Sequence, residues 1–579
     1  MNSLSKSRLQ YSQVNGGVLE TGAPKVTPRG YYHMNASLIS FDGAELQLGR
    51  RTFIAGGIIA SAAVLGLNGA DEAWAAQTEE AGDALTNVAA ALEGEPDDTV
   101  TTKFLIVGSG IAGCAAAVEA KQLGLQDVIL IEKNDILGGN TNFAEGIFAT
   151  HSRYQQEQGI PEVDGSQVLA EESAAHHYIN HAGLMKRFID ASSDNVNWLM
   201  DQGVSFVTVE VETCGGKCLH IYEGGNGASA IQVLSTLAID EYGLDVRTGT
   251  RATALLLDDD GSVRGIRAQD AQGRVTDFLA DTVLLATGGV ASNDEMMDVY
   301  TKMQTGKYSY VGMAGSDGDG LRLAEATAMG RAKNVCAMNM WLNVEGTVIK
   351  SVANYIGGSE GSNIWVNERG VRFVNEAISG NPATLIDCNN AVQSQGRAYA
   401  IFDAEHVEFF KENGTTADWS GFSPSGEPQP DVQQALDEAV ADESVGYFRA
   451  DTIEELAEAI SVDADALAKT LDAWNAAVQS GEDAEFGKEP GLMFPVATPP
   501  FYAAHLQNGV LTTVGGIRVD EDGRVCSPAG DPVGNLYAAG VCCSGFTGEN
   551  YSMAAPGTAQ GSGVFLGRLA AQAAVAKSL

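Results

Sequence analysis

KFLIVGSGIAGCAAAVEAKQLG, from Lys103 to Gly124, decides the fold. Phe104 to Val107 is an apolar, partly β-branched run of strand type. Gly108, Gly110 and Gly113 follow as G-x-G-x-x-G, and Ala115 to Ala117 open a helix ending near Gly124. DVILIEK then reads as a second strand closing on Glu132, 19 residues after Gly113. A lone glycine motif is weak, but a strand before it, a helix after it and an acid at this distance make a dinucleotide-binding unit. The glycines let backbone N–H groups approach a pyrophosphate at the helix N-terminus, and Glu132 accepts from a ribose hydroxyl.

The rest of the chain agrees with a large bound ligand. Its 579 residues include 68 Gly but only 15 Pro, which fits close backbone approach better than flexible linkers. That length sets two or three folded units. Hydrophobic residues at 44% and charged residues at 19% describe a globular protein. Acidic residues number 75 against 35 basic, a net charge of -40. Such a surface repels nucleic acid and anionic lipid; it suits solubility or a basic protein partner. None of the eight cysteines forms C-x-x-C, so covalent haem and the usual iron–sulfur runs are unsupported, and no metal site is expected. TCGGKC, Thr213 to Cys218, reads as two ordinary thiols, with a tight disulfide or a metal site as alternatives.

Upstream, LGRRTFIAGGIIASAAVLGLNGADEAWAAQ runs from Leu48 to Gln77. Arg50-Arg51, a weakly apolar segment too short to span a bilayer, and an A-x-A pattern at Ala73 to Ala75 occur in order. They read as a twin-arginine signal over residues 50–76, after a leader of 1–49 and before a linker of 77–100. The expected location is the periplasm or the outer face of the cytoplasmic membrane, with a cofactor inserted before export.

Downstream lie NDILGGNTNFAEG after Lys133, VLLATGGV (Val283 to Val290), SDGDGLRLAEATAMG from Ser316, and GNLYAAG (Gly534 to Gly540). This set resembles the family of fumarate reductase flavoproteins, urocanate reductases and 3-ketosteroid Δ1-dehydrogenases, over about residues 101–570. The resemblance implies FAD. It also implies an α/β fold: a glutathione-reductase-type, Rossmann-like FAD domain (101–335 and 506–579) with an inserted α+β capping domain at 336–505. Residues 244–283 read as short strands with turns at Asp258 to Gly261 and Gln272-Gly273. By resemblance, Gly108, Gly110, Ala112, Gly113, Glu132, Lys133, Gly139, Asn140, Thr141, Gly146, Ala286, Thr287, Asp319, Gly540 and Gly557 line the FAD. Many relatives carry A-A-G-E after the late strand; here Val541 follows Gly540, and Glu549 is the candidate replacement contact.

The cap segment NIWVNERGVRFVNEAISGNPATL, Asn363 to Leu385, matches the family's V-N-x-x-G-x-R-F-x-N-E pattern. Arg372 and Glu376 read as a structural pair. Fumarate reductases place a catalytic Arg four residues after this Glu; here Gly380 stands there, and YIGGSEGS holds no relay Arg. The histidine before T-x-G-G is replaced by Thr512, with Thr513 next to it, and an earlier cap histidine aligns with Trp341. Tyr551, in GENYSMAAPGTAQGSG, replaces the late arginine. A buried carboxylate without a cation costs several kcal/mol, so these changes point to an uncharged, largely apolar substrate.

The expected reaction is reduction of an activated C=C bond by hydride from flavin N5. Tyr551 O–H and the Gly557 amide are expected to hold the substrate carbonyl oxygen. Tyr308, Tyr310 and His505 are candidate proton donors. Electrons are expected from an external cytochrome or a quinone-linked donor. Desaturation of a 3-ketosteroid type, reduction of a fumarate, urocanate or acrylate-type carboxylate, and a non-catalytic electron carrier stand as alternatives.

Overall fold

The computed structural model describes residues 91–579 except 304–305, 328–331, 349–350, 359, 381–383, 385–386 and 417–423. The leader and the twin-arginine segment lie outside the described residues, as does the linker up to residue 90.

The quoted stretch forms strand β1 (Asp98–Val107) and helix α1 (Ile111–Gln122), followed by strand β2 (Val128–Ile131). β1 pairs in parallel with β2, Phe104 opposite Val128 and Val107 opposite Ile131. Strands β3 (Gly146–Phe148), β4 (Phe206–Thr213) and β5 (Gly216–Tyr222) make a small separate sheet in the order β3-β5-β4. The β4–β5 turn is Cys214-Gly215, both at positive φ, which matches a two-residue hairpin loop. Cys214, in the turn, and Cys218, buried on β5, are free thiols.

The large sheet continues with β6 (Asp245–Arg247), β7 (Thr250–Leu257), β8 (Val263–Asp270) and β9 (Val275–Leu285). β9 pairs in parallel with β1, Val107 opposite Leu285, and antiparallel with β8. The late strands β16 (Arg524–Cys526) and β17 (Pro532–Ala538) complete the order β16-β17-β9-β1-β2-β6, with β7 and β8 as a meander on β9. Phe104–Val107 of β1 and the whole of β2 are buried on both faces, which is why FLIV and VILI are continuous apolar runs. Their C-terminal ends, with those of β9 and β17, meet at one edge. That edge of a doubly wound sheet is where ligands bind.

The second sheet contains β10 (Tyr308–Tyr310), β11 (Ala332–Val344), β12 (Ile364–Asn367), β13 (Ala398–Asp403), β14 (Tyr447–Ala450) and β15 (Phe501–Ile517). β15 is its spine. Its first residues pair with β13 and β14, and its later ones with β11 and β10. Residues 336 and 505, the sequence-based limits of the cap, fall inside β11 and β15. Two cores flank this sheet, one around Trp365, Phe402 and Tyr502, the other around Leu467, Trp474 and Phe501.

Four further helices matter for the site: α2 (Gly165–Ala175), α3 (Ala182–Asp201), α4 (Asp319–Ala326) and the final α5 (Thr558–Ser578). After α2, His177 and Tyr178 both adopt positive φ, 51° and 60°. The Tyr178 N–H bonds to Ser173 O and the His177 N–H to Ala174 O, a Schellman closure built without glycine.

Candidate functional site

A cleft of about 870 Å³ opens at the C-terminal edge of the parallel strands. Of the residues expected to hold a dinucleotide, Gly108, Gly110, Ala112, Glu132, Lys133, Gly139, Asn140, Ala286, Thr287, Asp319 and Gly540 line it. Glu132 closes the turn: its carboxylate accepts the Ser109 N–H at 3.0 Å, the Ser109 hydroxyl at 2.8 Å and the Asn134 N–H at 2.9 Å. Gly113 does not line the cleft. A Cβ there would lie 2.0 Å from Gly108 O, so this glycine permits the helix to pack on the strand exit. Gly113→Ala is expected to abolish the flavin absorbance band of the purified protein; retention of stoichiometric flavin would contradict this packing role.

Three other expected contacts act behind the wall. Thr141 Oγ1 accepts the Ile111 N–H at 3.1 Å, capping α1. Gly146 lies in β3, where a Cβ would meet His220 O. Gly557 belongs with Tyr551, below. Glu549 does not replace the missing glutamate: its side chain is at the surface, paired with Lys302 at 2.8 Å. The chain between Gly540 and Tyr551 carries it outward. Ser109, Asn134, Thr250, Met313 to Ser316, Ala559 and Gln560 also line the cleft. Of these, Ser109, Asn134, Ser316, Ala559 and Gln560 fall in stretches that the sequence singled out.

One end of the cleft holds a charge cluster. Lys133 Nζ pairs with Asp317 and with Asp319, the latter at 2.9 Å, and Arg251 with Asp319 at 2.6 Å. Burial pushes the Asp319 carboxyl up, but Lys133 and Arg251 outweigh it and hold the pKa at about 2. The fit to FAD follows from these features. Glu132 would hold the adenosine of a bound FAD, and the first-turn N–H groups of α1 its pyrophosphate. Around Gly110 and Gly139 a Cβ would meet nothing closer than 3.7 Å, so backbone approach is open. Thr287 Oγ1 and Gln560 Oε1 are buried cleft atoms without a protein partner. The end near Asn140, Ala559 and Gln560 would then take the flavin.

Next to that end, Val514, Gly540, Val541, Phe546, Tyr551 and Ala559 line a second, narrow cavity that shares Gly540, Val541 and Ala559 with the cleft. Tyr551 is 4% exposed and packs on Cys336 and Val514. Burial pushes its pKa up. Its oxygen accepts the Gly557 N–H at 3.0 Å, at the N-terminus of α5. This corrects the expected pair of open donors: the Gly557 amide is bound to the phenol, and the Tyr551 O–H alone is left to donate. No Lys, Arg or His among the described residues lines this cavity.

The remaining candidates are held elsewhere. Thr513 Oγ1 accepts the Val290 N–H at 2.8 Å and so ties β15 to the loop after β9, while Thr512 Oγ1 donates to its neighbour's carbonyl, Thr513 O, within β15. Gly380 lines a separate open cleft with Thr384 and Thr416. Trp341 lies on β11, its side chain outside the described residues. Tyr308 donates to Asp294 at 2.6 Å, Tyr310 to Asn140 and Met313 O, and His505 meets Glu345 at 2.7 Å. None of these three lines the Tyr551 cavity. In the cap, Arg372 grips Glu376 at 2.8 and 2.9 Å and Asp483 at 3.0 Å, with its guanidinium over Trp474.

The model of the family described as FAD binding domain matches residues 103–555. The chain is 32% identical over 471 residues to a vinyl phenol reductase of Lactiplantibacillus plantarum, covering 80% of this chain and 94% of that protein. It is 30% identical over 473 residues to a fumarate reductase (cytochrome) of Shewanella frigidimarina, covering 80% and 75%. Its fold is similar to that of a flavocytochrome c3 fumarate reductase in an open conformation, with a TM-score of 0.65, 24% identity and coverage of 86% and 81%. The chain belongs to the FAD-binding flavoprotein family of the fumarate reductases and is an FAD-dependent oxidoreductase.

Proposed function

We propose that this oxidoreductase reduces a C=C bond conjugated to a neutral polar group in an uncharged, largely apolar small molecule. The observation that carries the reading is the cavity beside the flavin end of the cleft. It offers a phenol, the hydroxyls of Thr547, Thr558 and Ser562, the Cys543 thiol, apolar side chains and glycines, and no cation among the described residues. The cation lining the cleft itself, Lys133, is bound by Asp317 and Asp319 at the adenosine end. A dicarboxylate seated here would carry buried charge with no partner, at a cost of several kcal/mol. The name of the Lactiplantibacillus relative supports a neutral substrate, a phenol bearing a vinyl group. The Shewanella relative, at nearly the same identity, is named for a dicarboxylate, so the site residues rather than the identity decide.

Bound FAD supplies the hydride. Tyr551 places its O–H against the oxygen on which negative charge develops, and the Gly557 N–H on the Tyr551 oxygen strengthens that donor. The apolar wall of Val514, Val541 and Phe546 excludes water and orients the flat conjugated system. We further propose export by the twin-arginine route, from Arg50-Arg51 and the A-x-A pattern, and reduction by an external carrier, which the charge of -40 suits if that carrier is basic.

The test is anaerobic reoxidation of the dithionite-reduced protein, followed at the flavin band. Vinyl phenols and neutral enones are expected to reoxidise it. Reoxidation by fumarate alone would overturn the reading. Dye reduction driven by saturated ketosteroids would instead favour desaturation.

A further inference from the structure

With Tyr308, Tyr310 and His505 bound elsewhere, the reduction still needs a proton. A buried acid–imidazole pair lies behind the Tyr551 segment. The side chains of Glu172, on α2, and His176, just after it, are 3% and 0% exposed. His176 Nε2 lies 2.9 Å from Glu172 Oε2. Glu172 Oε1 accepts the Ala555 N–H at 2.7 Å. Ala555 stands between Tyr551 and Gly557, which are bound to each other. Gly548, three residues before Tyr551, lies flush on His176: a Cβ there would come 2.9 Å from the histidine's Cβ and carbonyl oxygen. The pair and the Tyr551 segment are thus in direct contact at two points.

The chemistry of the pair exceeds that of a clamp. Holding Ala555 needs one carboxylate oxygen. It does not need an imidazole whose Nδ1 is buried without a protein partner, an arrangement that costs about 1–3 kcal/mol. Both amide atoms of Asn180, four residues on, are buried and unpartnered as well. The same segment reaches solvent within two residues, at Tyr178, which is 77% exposed. The other ionisable side chains facing Glu172 are the Tyr551 phenol and the Cys218 thiol of β5. The buried pair thus lies between the exposed turn at Tyr178 and the segment that holds Tyr551.

We propose that His176 and Glu172 are the relay that returns a proton to Tyr551 during each reduction, a role that rests on the C=C-reductase reading. Hydride adds to one carbon of the C=C bond. Tyr551 gives its proton to the resulting substrate anion, so that a phenol O–H bond breaks and a substrate–H bond forms. The phenolate regains a proton through Glu172 from His176, and His176 takes one from solvent at Nδ1. The relay moves protons only; both electrons come from reduced FAD.

The experiment is stopped-flow reoxidation of the dithionite-reduced full chain by a neutral conjugated alkene, between pH 6 and 9, in water and in D₂O. Wild type is compared with Glu172→Gln and His176→Gln, with the flavin spectrum and thermal midpoint recorded first. Both variants are expected to keep bound flavin and to slow reoxidation by roughly tenfold or more. Their rates should fall with proton concentration above pH 7 and show a larger solvent isotope effect. Variants within twofold of wild type with an unchanged pH profile would overturn the relay. So would a loss equal at every pH together with a lowered thermal midpoint, the mark of a clamp alone. If Glu172→Gln does not retain FAD, His176→Gln decides between these outcomes. A wild type that no neutral alkene reoxidises would remove the C=C reading and the relay together; an active wild type with unaffected variants would remove only the relay.

Discussion

Tyr551→Phe is expected to lower turnover by roughly 10²-fold or more while FAD stays bound, by analogy with loss of one oxyanion donor. The substitution removes one oxygen from a side chain that is 4% exposed and leaves the ring packed on Cys336 and Val514. It also strips the Gly557 N–H of its acceptor, which adds a stability loss of about 1–3 kcal/mol. The two effects separate by measurement. The flavin spectrum and melting curve report the second, and single-turnover reoxidation at saturating substrate reports the first. An unchanged rate at saturation would remove the phenol from the chemistry and leave it a cap for α5.

Arg372→Met is expected to destabilise the cap by about 3–5 kcal/mol, because it leaves Glu376 and Asp483 buried with a partner removed. Arg372 is the cap cation that a carboxylate-binding reading would most readily recruit. Its guanidinium is instead spent on two carboxylates and stacked over Trp474 and Phe486. Burial pushes the Asp483 carboxyl up, but Arg372 and the Lys488 and Phe486 amides outweigh it and lower the pKa to about 2. A depressed acid stabilises the fold above its ordinary pKa of about 4, and that contribution is lost as pH falls toward 2. Denaturant unfolding at pH 7 and pH 3 should therefore show a smaller difference between wild type and variant at the lower pH. An equal difference at both would assign the stability to packing on Trp474.

Local signals were legible in the sequence and long-range ones were not. Gly108, Gly110, Gly113 and Glu132 act within one strand–helix–strand unit, so spacing alone identifies their work. The Tyr551 to Gly557 bond folds the chain back over six residues, and residue types do not reveal that one expected donor occupies the other. Glu549 was assigned from a missing neighbour at Val541, but the chain turns outward and delivers it to Lys302. The family resemblance places the cap at 336–505, yet β11 and β15 run unbroken through both limits, because a strand can belong to two layers at once. Glu172 meets Ala555 across 383 residues, a contact that no motif announces.

On the function proposed above, the cavity of Tyr551, Val541 and Phe546 takes its substrate without fixed positive charge. A matched pair tests it most directly: an arylacrylic acid and its methyl ester, each mixed anaerobically with the dithionite-reduced protein and followed at the flavin band. The ester is expected to reoxidise the flavin, and the acid, fully ionised at pH 7.5, to do so at least roughly 10²-fold more slowly, the penalty for a carboxylate left unpaired. Faster reoxidation by the acid would contradict the account and require a cation at the flavin face.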